Sequence, residues 1–370
     1  MKPKIYIFSI FKWKSDLLHR EHMLALAFSR LGYEVCFIER CHKLSFRPTF
    51  RQEGKIEVLT VFALPYFKGL SLAVFKLNDW LLRRQILEHI PDNKAALLML
   101  SSPLWTNVAQ SVKPKKGKII YDMSDNHLAF ATNKRWFENL KSYESTLLNI
   151  ADETFISSPN LSGKILKNKR YKVFGNGVDL EKFSEAKPIL KDKYEGQIVG
   201  FVGGVYERVN LDIIEACALE LPEVHFVVVG PTDRQAALKK MESLKNFHYL
   251  GAKPWQEIQN YFASFDIGII PFVSEVEYPW LKTVDSVKIY QYAYFGYPIV
   301  TTQFGQIESM NEIVKVAKDK SEFVKFIKDA TLQKEDSMIR RKRKELAKEH
   351  DWTKIANEMS VEIEKLSQDV

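Results

Sequence analysis

Cysteine is scarce: Cys36, Cys41 and Cys217 are the only three in 370 residues. Three thiols make no disulfide framework, and none has the CxxC spacing of a structural zinc site, so a reducing compartment fits best. Glycine (16) and proline (14) are too sparse for a collagen-like or low-complexity chain. Long apolar runs are missing as well. The longest charge-free stretch, Ala95 to Val112, is broken by Ser101, Ser102, Pro103, Thr106, Asn107 and Gln110, whereas a membrane span needs about 20 mostly apolar residues. The apolar run Ile5–Phe11 is too short for a signal core and lacks a small-residue cleavage site, so it reads as a buried first strand.

What is there is globular. Hydrophobic residues make up 46% and charged residues 27%, which argues against disorder. At roughly 100–200 residues per domain, the length predicts two domains. Basic residues exceed acidic ones, 54 to 46, a net charge of +8 that favours a polyanionic partner: nucleic acid, anionic lipid or a phosphate-bearing substrate. Solvated, scattered lysines account for much of this excess. The run Arg340–Lys344 is followed at once by Glu345, Glu349 and Asp351 and has no interleaved aromatics. It reads as a solvated helix face rather than a nucleic-acid patch.

Hydrophobic periodicity predicts strands at Lys4–Ile10, Val35–Ile38, Val58–Ala63, Ala96–Leu100, Lys118–Tyr121 and Glu153–Ser157, with a helix through Leu17–Leu31 ended by Gly32. The stretch Phe183–Glu195, rich in Ser, Lys, Pro and Asp, reads as a linker. A second series follows: strands at Gln197–Val202, His225–Val229, Phe247–Leu250, Ile267–Pro271 and Pro298–Thr301, and helices at Leu211–Leu221, Trp255–Ser264 and Ser286–Phe295. Strands apolar on both faces and joined through helices make parallel sheets covered on both sides. The expected architecture is α/β: two Rossmann-like domains facing across a cleft, residues 1–183 and 184–345. A terminal helix, 346–370, crosses back to the first domain. Such sheets bind ligands beyond the carboxyl ends of their strands.

Four segments carry candidate chemistry. Gly203-Gly204 ends the second domain's first strand; it is either a plain turn or a place where backbone amides approach phosphate oxygens. Lys288 and Gln291 lie three apart and share a helix face, the lysine suited to a phosphate and the amide to a sugar hydroxyl or base edge. Tyr121-Asp122-Met123-Ser124-Asp125-Asn126-His127 closes a first-domain strand. Asp125 there is a candidate general base, although Asp122 or Asp125 as a helix cap and His127 as a satisfied histidine are the plainer readings. No second His or carboxylate pair has metal-ligand spacing, so no metal is expected. The segment Val61–Ile90 mixes Phe67, Leu70, Phe75, Trp80 and Leu82 with Lys68, Lys76, Arg83 and Arg84. It is either a core helix with snorkelling cations or a surface for an anionic membrane.

Together these pieces resemble the GT-B glycosyltransferases and, more narrowly, the xanthan-type glucuronosyltransferase family, which adds glucuronate from a UDP donor to a lipid-linked oligosaccharide. The carriers are Tyr121–Asp125, Ile150–Pro159, Phe174–Asp179, Phe265–Phe272 and above all Asp285–Tyr292 with Phe295-Gly296. The resemblance implies Asp125 as the base. It implies Lys288 and Gln291 on the UDP-sugar, with Gly203, Gly204, Val205 and Phe272 lining the nucleotide site. Where Phe272 stands the family can carry a tyrosine, so a hydroxyl is lost. Retaining relatives place two glutamates eight positions apart, at the positions that Thr283 and Gln291 occupy here, which favours inversion.

The expectation is a metal- and cofactor-independent glycosyltransferase of bacterial surface polysaccharide assembly. It would move a sugar, glucuronate being the family's, from UDP to a lipid-linked or polysaccharide acceptor. It would be cytoplasmic and peripheral on the inner membrane face, with no nucleic-acid partner. The alternatives are a retaining GT-B enzyme, a UDP-sugar 2-epimerase, which needs more converging carboxylates and histidines, and a non-catalytic polyanion binder.

Overall fold

The computed structural model describes residues 2–15, 17–43, 47–65, 72–91, 96–305, 307–333 and 336–368. The chain forms two compact units: Met1–Ser15, His19–Gly175 and Thr353–Val370 in the first, and Asp16–Leu18 with Asn176–Trp352 in the second.

The first unit contains β1 (Lys4–Phe8), α1 (Arg20–Arg30), β2 (Val35–Cys41), β3 (Thr49–Glu53), β4 (Ile56–Phe62), α2 (Leu72–Ile86), β5 (Ala96–Leu100), α3 (Thr106–Val112), β6 (Lys118–Met123), α4 (Lys134–Ile150), β7 (Glu153–Ile156) and β8 (Tyr171–Val173). Its sheet has the order β3-β4-β2-β1-β5-β6-β7-β8, parallel except where β3 pairs antiparallel with β4 at the edge. The strands expected from apolar runs are there. β3 and β8 are additional: their residues are mostly exposed, so they lack the buried apolar signature that marks a central strand.

The second unit contains α5 (Leu180–Ser184), β9 (Ile198–Val202), α6 (Leu211–Glu220), β10 (His225–Val229), α7 (Gln235–Met241), β11 (Phe247–Tyr249), α8 (Ile258–Ala263), β12 (Ile267–Ile270), α9 (Val287–Phe295), β13 (Ile299–Thr302), β14 (Lys315–Ala317), α10 (Lys320–Leu332) and α11 (Ser337–Glu349). Its sheet, β11-β10-β9-β12-β13-β14, is parallel throughout. The expected linker is not loose. Leu190 and Tyr194 are buried in this unit's core, and the Leu190 amide donates to Ser264 Oγ at 3.1 Å. The last helix, α12 (Trp352–Gln368), packs from Thr353 onward with the first unit, where Tyr33 Oη donates to Glu364 at 3.4 Å.

Both sheets therefore have the Rossmann-like arrangement expected from the sequence. In each, the strand order reverses direction at one place, between β1 and β5 and between β9 and β12. At such a switch point the loops leave on opposite faces and open a crevice outside the strands' carboxyl ends.

Candidate functional site

At the first switch point the carboxyl ends of β1 and β5 are stapled together: the Ser101 amide and Oγ both donate to the Phe8 carbonyl, at 3.2 and 3.0 Å. Three acidic residues gather here. Asp122, on β6, is buried and accepts from Arg20 Nε through both oxygens, at 3.1 and 2.9 Å. Arg20 is buried too, and its Nη1 holds the Gly175 carbonyl at 2.8 Å. An ion pair this dry is structural: removing one partner strands the other charge, at a cost of about 3–5 kcal/mol. Asp125 follows the strand in a half-buried bend, its carbonyl accepting from the His127 amide at 3.1 Å. His127 donates from Nε2 to the Ser101 carbonyl at 2.7 Å. Burial lowers its pKa to about 4, so the ring is neutral and serves as a prop. With Asp122 locked to Arg20, Asp125 is the carboxylate of this strand end left nearer to solvent.

The third acid, Glu21, escaped the sequence reading. It sits in the first turn of α1 and is 4% exposed. Burial pushes its carboxyl up from 4.5 to about 7, and the negative charges of Asp122 and Asp125 push the same way, against a hydrogen bond from Ser101. Because the folded pKa lies above the unfolded one, the stabilising proton is fully held below about pH 4.5. It is lost as pH rises through 7. Glu21→Gln keeps the shape without the charge. Urea unfolding at pH 5 and pH 8 should show wild type losing stability relative to the variant, by up to about 3 kcal/mol. Parallel pH dependence in the two proteins would show that Glu21 is ionised throughout.

At the second switch point Gly203 takes φ 146°. A Cβ there would lie 2.6 Å from Lys288 Cε and 2.9 Å from its Nζ, so the glycine is what lets the lysine lie against the turn. The Gly203 amide continues the sheet, donating to the Val229 carbonyl at 2.9 Å. Of the two glycine amides, only that of Gly204 lacks a protein acceptor among the described residues. Val205 is fully buried, its amide bonded to the Pro231 carbonyl at 2.9 Å and its own carbonyl taken by Thr232 Oγ1 at 2.8 Å. Its side chain thus belongs to the core. Phe272 is also buried, packed on Phe304 at 4.9 Å between centroids.

Lys288 lies in the first turn of α9, 7% exposed. Its Nζ is 5.3 Å from the Phe201 ring centre and 5.7 Å from that of Phe272. Burial lowers its pKa to about 7, and repulsion from Arg208 adds to the effect. Arg208, a second residue the sequence reading missed, holds its guanidinium 5.7 Å from the same Phe272 ring. Two cations on one ring, one of them dehydrated enough to shed its proton, make a site whose electrostatics are relieved by an anion. Gln291, one turn on, is half-buried on the same helix. Thr283 is turned to its own backbone, donating to the Trp280 carbonyl at 2.7 Å.

The start of α9 is fixed by Asp285. Its Oδ2 accepts from the Asn176 amide at 2.6 Å, its Oδ1 from Tyr290 Oη at 2.8 Å, and its carbonyl from Asn176 Nδ2 at 2.7 Å. This joins two of the sequence pieces that carry the resemblance, Phe174–Asp179 and Asp285–Tyr292, in one hydrogen-bonded knot. The described residues include no group of three or more His, Cys, Asp or Glu arranged to hold a metal, and no helix long and apolar enough to cross a membrane.

Residues 196–331, which carry the Gly203 turn, Arg208, Phe272 and Lys288, match the family described as "Glycosyl transferases group 1". The fold is that of the GT-B glycosyltransferases. Among curated proteins the chain is similar to TuaH of Bacillus subtilis (strain 168), a glycosyltransferase assigned by its name to teichuronic acid biosynthesis. The two are 26% identical over 258 residues, which span 64% of this chain and 64% of TuaH. Among solved structures it is similar to sucrose-phosphate synthase from Thermosynechococcus elongatus (TM-score 0.75, 13% identity, all of both chains). It is also similar to the E. coli trehalose-6-phosphate enzyme bound with UDP-2-fluoro glucose (TM-score 0.72, 11% identity, 99% of each chain).

Proposed function

We propose that this protein transfers a sugar from UDP to a lipid-linked saccharide in the assembly of a bacterial surface polysaccharide, inverting the anomeric centre. The observation that carries the reading is the pair Lys288 and Arg208 around Phe272, beside the Gly203 turn, inside the segment with the glycosyltransferase match. Lys288, Arg208 and the Gly204 amide neutralise the departing diphosphate, and Gln291 meets a neutral group of the donor. Asp125 takes the proton from the attacking hydroxyl, and Glu21 beside it keeps the pocket's charge low by holding its own proton. The name of TuaH supports a cell-envelope polymer as destination. Glucuronate is the donor sugar that the Lys288–Gln291 pattern favours.

Inversion rests on Thr283 and Gln291 standing where retaining enzymes carry glutamates. The product from a panel of UDP-sugars and a lipid extract, read by mass spectrometry and by the anomeric coupling in proton NMR, tests donor and stereochemistry together. A product with the donor's own configuration overturns inversion. Titration with UDP against RNA separates the enzyme from a polyanion binder, which would take RNA and ignore UDP.

A lipid-linked acceptor requires the enzyme at a bilayer, and α2 supplies one surface for it. Trp80 is 54% exposed and Leu77 44%, with exposed Lys76, Arg83 and Arg84 on the same helix and the Arg84 guanidinium 5.8 Å from the Trp80 ring. Two residues of the segment turn the other way. Phe75 and Leu82 are fully buried, Phe75 against Trp136 and Tyr143, and so belong to the core. Phe67, Lys68 and Leu70 lie outside the described residues. Replacing Trp80 by Ala and Lys76, Arg83 and Arg84 by Ser should reduce flotation with anionic vesicles by tenfold or more, each cation contributing about 1 kcal/mol. Unchanged flotation removes α2 from the docking surface.

A further inference from the structure

We propose that the outer stripe of α11 is a second docking surface, for an anionic phospholipid bilayer. The helix carries six cations and two acids in 13 residues, arithmetic that gives +4, half the net charge of the whole chain. The structure sorts these charges. Arg343 and Ala347 face inward and are buried. Arg343 donates to the Ile313 carbonyl at 2.6 Å and to the Gly296 carbonyl, at the end of α9, at 3.4 Å. Gly296 takes φ 78° and so ends α9 where the carbonyls favour a cation. That inward face needs one arginine and has it.

The stripe flanking that face is different. Ser337, Arg340, Arg341, Lys344, Glu345 and Lys348 recur at spacings of three and four and share one open stripe of the helix. All are exposed. Glu345 is neutralised by Arg341 at 2.8 Å, and Lys342, on the flank, by Glu312 at 2.6 Å. Arg340, Lys344 and Lys348 have no carboxylate partner among the described ion pairs. Arg340 and Lys344 lay their stems against Gly296, and both residues are exposed.

The shape of the stripe selects its partner. Thirteen helical residues make a straight row about 20 Å long, which a flat surface of phosphates matches along its whole length. The row has no aromatic side chain on which a base would stack, against a nucleic acid. Two large apolar side chains are exposed at its start, Leu332 at 74% and Met338 at 63%, as befits a helix that lies at a headgroup boundary.

The position makes the contact useful. α11 runs alongside α9 from Arg343 at Gly296 to His350, whose ring stacks on Tyr290 at 4.2 Å. The Lys348 end of the stripe therefore lies at the end of α9 that bears Lys288. A bilayer held there stands beside the donor end of the second unit.

The test is flotation of the full chain with vesicles of phosphatidylglycerol and phosphatidylcholine, at 50 mM and 500 mM salt. Each surface cation contributes about fivefold to partitioning. The variant Arg340→Ser/Arg341→Ser/Lys344→Ser/Lys348→Ser should thus bind about 600-fold more weakly, and wild type should release at high salt. A control with equal charge loss elsewhere on the unit, Lys239→Ser/Lys240→Ser/Lys318→Ser/Lys325→Ser, should bind like wild type, and circular dichroism should match in all three. Equal loss in the control, unchanged binding of the α11 variant, or loss of RNA binding without loss of vesicle binding overturns the proposal. UDP titration is run in parallel and is expected to be unchanged, so failure here leaves the donor reading standing.

Discussion

Asp125→Asn should lower sugar transfer by about 10²–10⁴, the usual cost of removing a general base, while UDP binds as in wild type. The expectation follows from the division of labour at the end of β6. Asp122 is tied through both oxygens to Arg20, so it is held in place by a buried ion pair. Glu21 is buried with its pKa raised to about 7, so near neutral pH it holds a proton much of the time. Asp125 is the remaining carboxylate of the three and the one in a half-buried bend. The rate is measured as label moved from a UDP-sugar into lipid extract, with UDP affinity measured separately on the same protein. Near-wild-type turnover would take the base away from Asp125. Asp122→Asn is the useful contrast, because it should damage folding as well as rate.

Lys288→Ala should raise the dissociation constant of UDP about ten- to a hundredfold, since a charge-assisted contact to phosphate is worth roughly 1.5–3 kcal/mol. The same variant should abolish a proton uptake. Burial holds the Lys288 pKa near 7, so at pH 8.5 the empty site carries mostly neutral amine. A diphosphate favours the charged form and draws a proton from buffer. Calorimetry at pH 8.5 in two buffers of different ionisation enthalpy should give different apparent heats for wild type and equal heats for the variant. The effect should fade toward pH 6, where the amine is already charged. Buffer-independent heats for wild type would place the phosphates elsewhere.

The central strands were legible because each is apolar on both faces: Ala96–Leu100 and His225–Val229 begin and end where the sequence pattern says. Edge strands were not. Thr49–Glu53 reads as polar because its residues are mostly exposed, and pairing with β4, rather than burial, makes it a strand. Lys288, Gln291 and the glycine turn stood out in the sequence by local spacing, and Phe272 only by the family resemblance. The site was illegible at Arg208 and Glu21. A charged residue in a loop or first helical turn looks solvated until the fold sets it beside a partner far away in sequence, as Arg20 is set beside Asp122 across 102 positions. Val205 entered through the family resemblance, and its side chain is buried in the core.

The Asp285 knot has a further consequence. The second unit receives the chain at Asn176 and gives it up at Trp352, and these two ends are bound to each other. The Val178 amide donates to the His350 carbonyl at 2.9 Å, and the Trp352 amide to the Val178 carbonyl at 3.1 Å. His350 Nδ1 donates to the Asn176 carbonyl at 2.9 Å, and Asn176 is held by Asp285 at the root of α9. Both ends of this segment are thus closed into one hydrogen-bonded knot, and the lysine proposed to meet the donor stands on the helix rooted in it. A displacement at the root of α9 therefore reaches both ends of the Asn176–Trp352 segment at once, with no relay of side chains across the sheet.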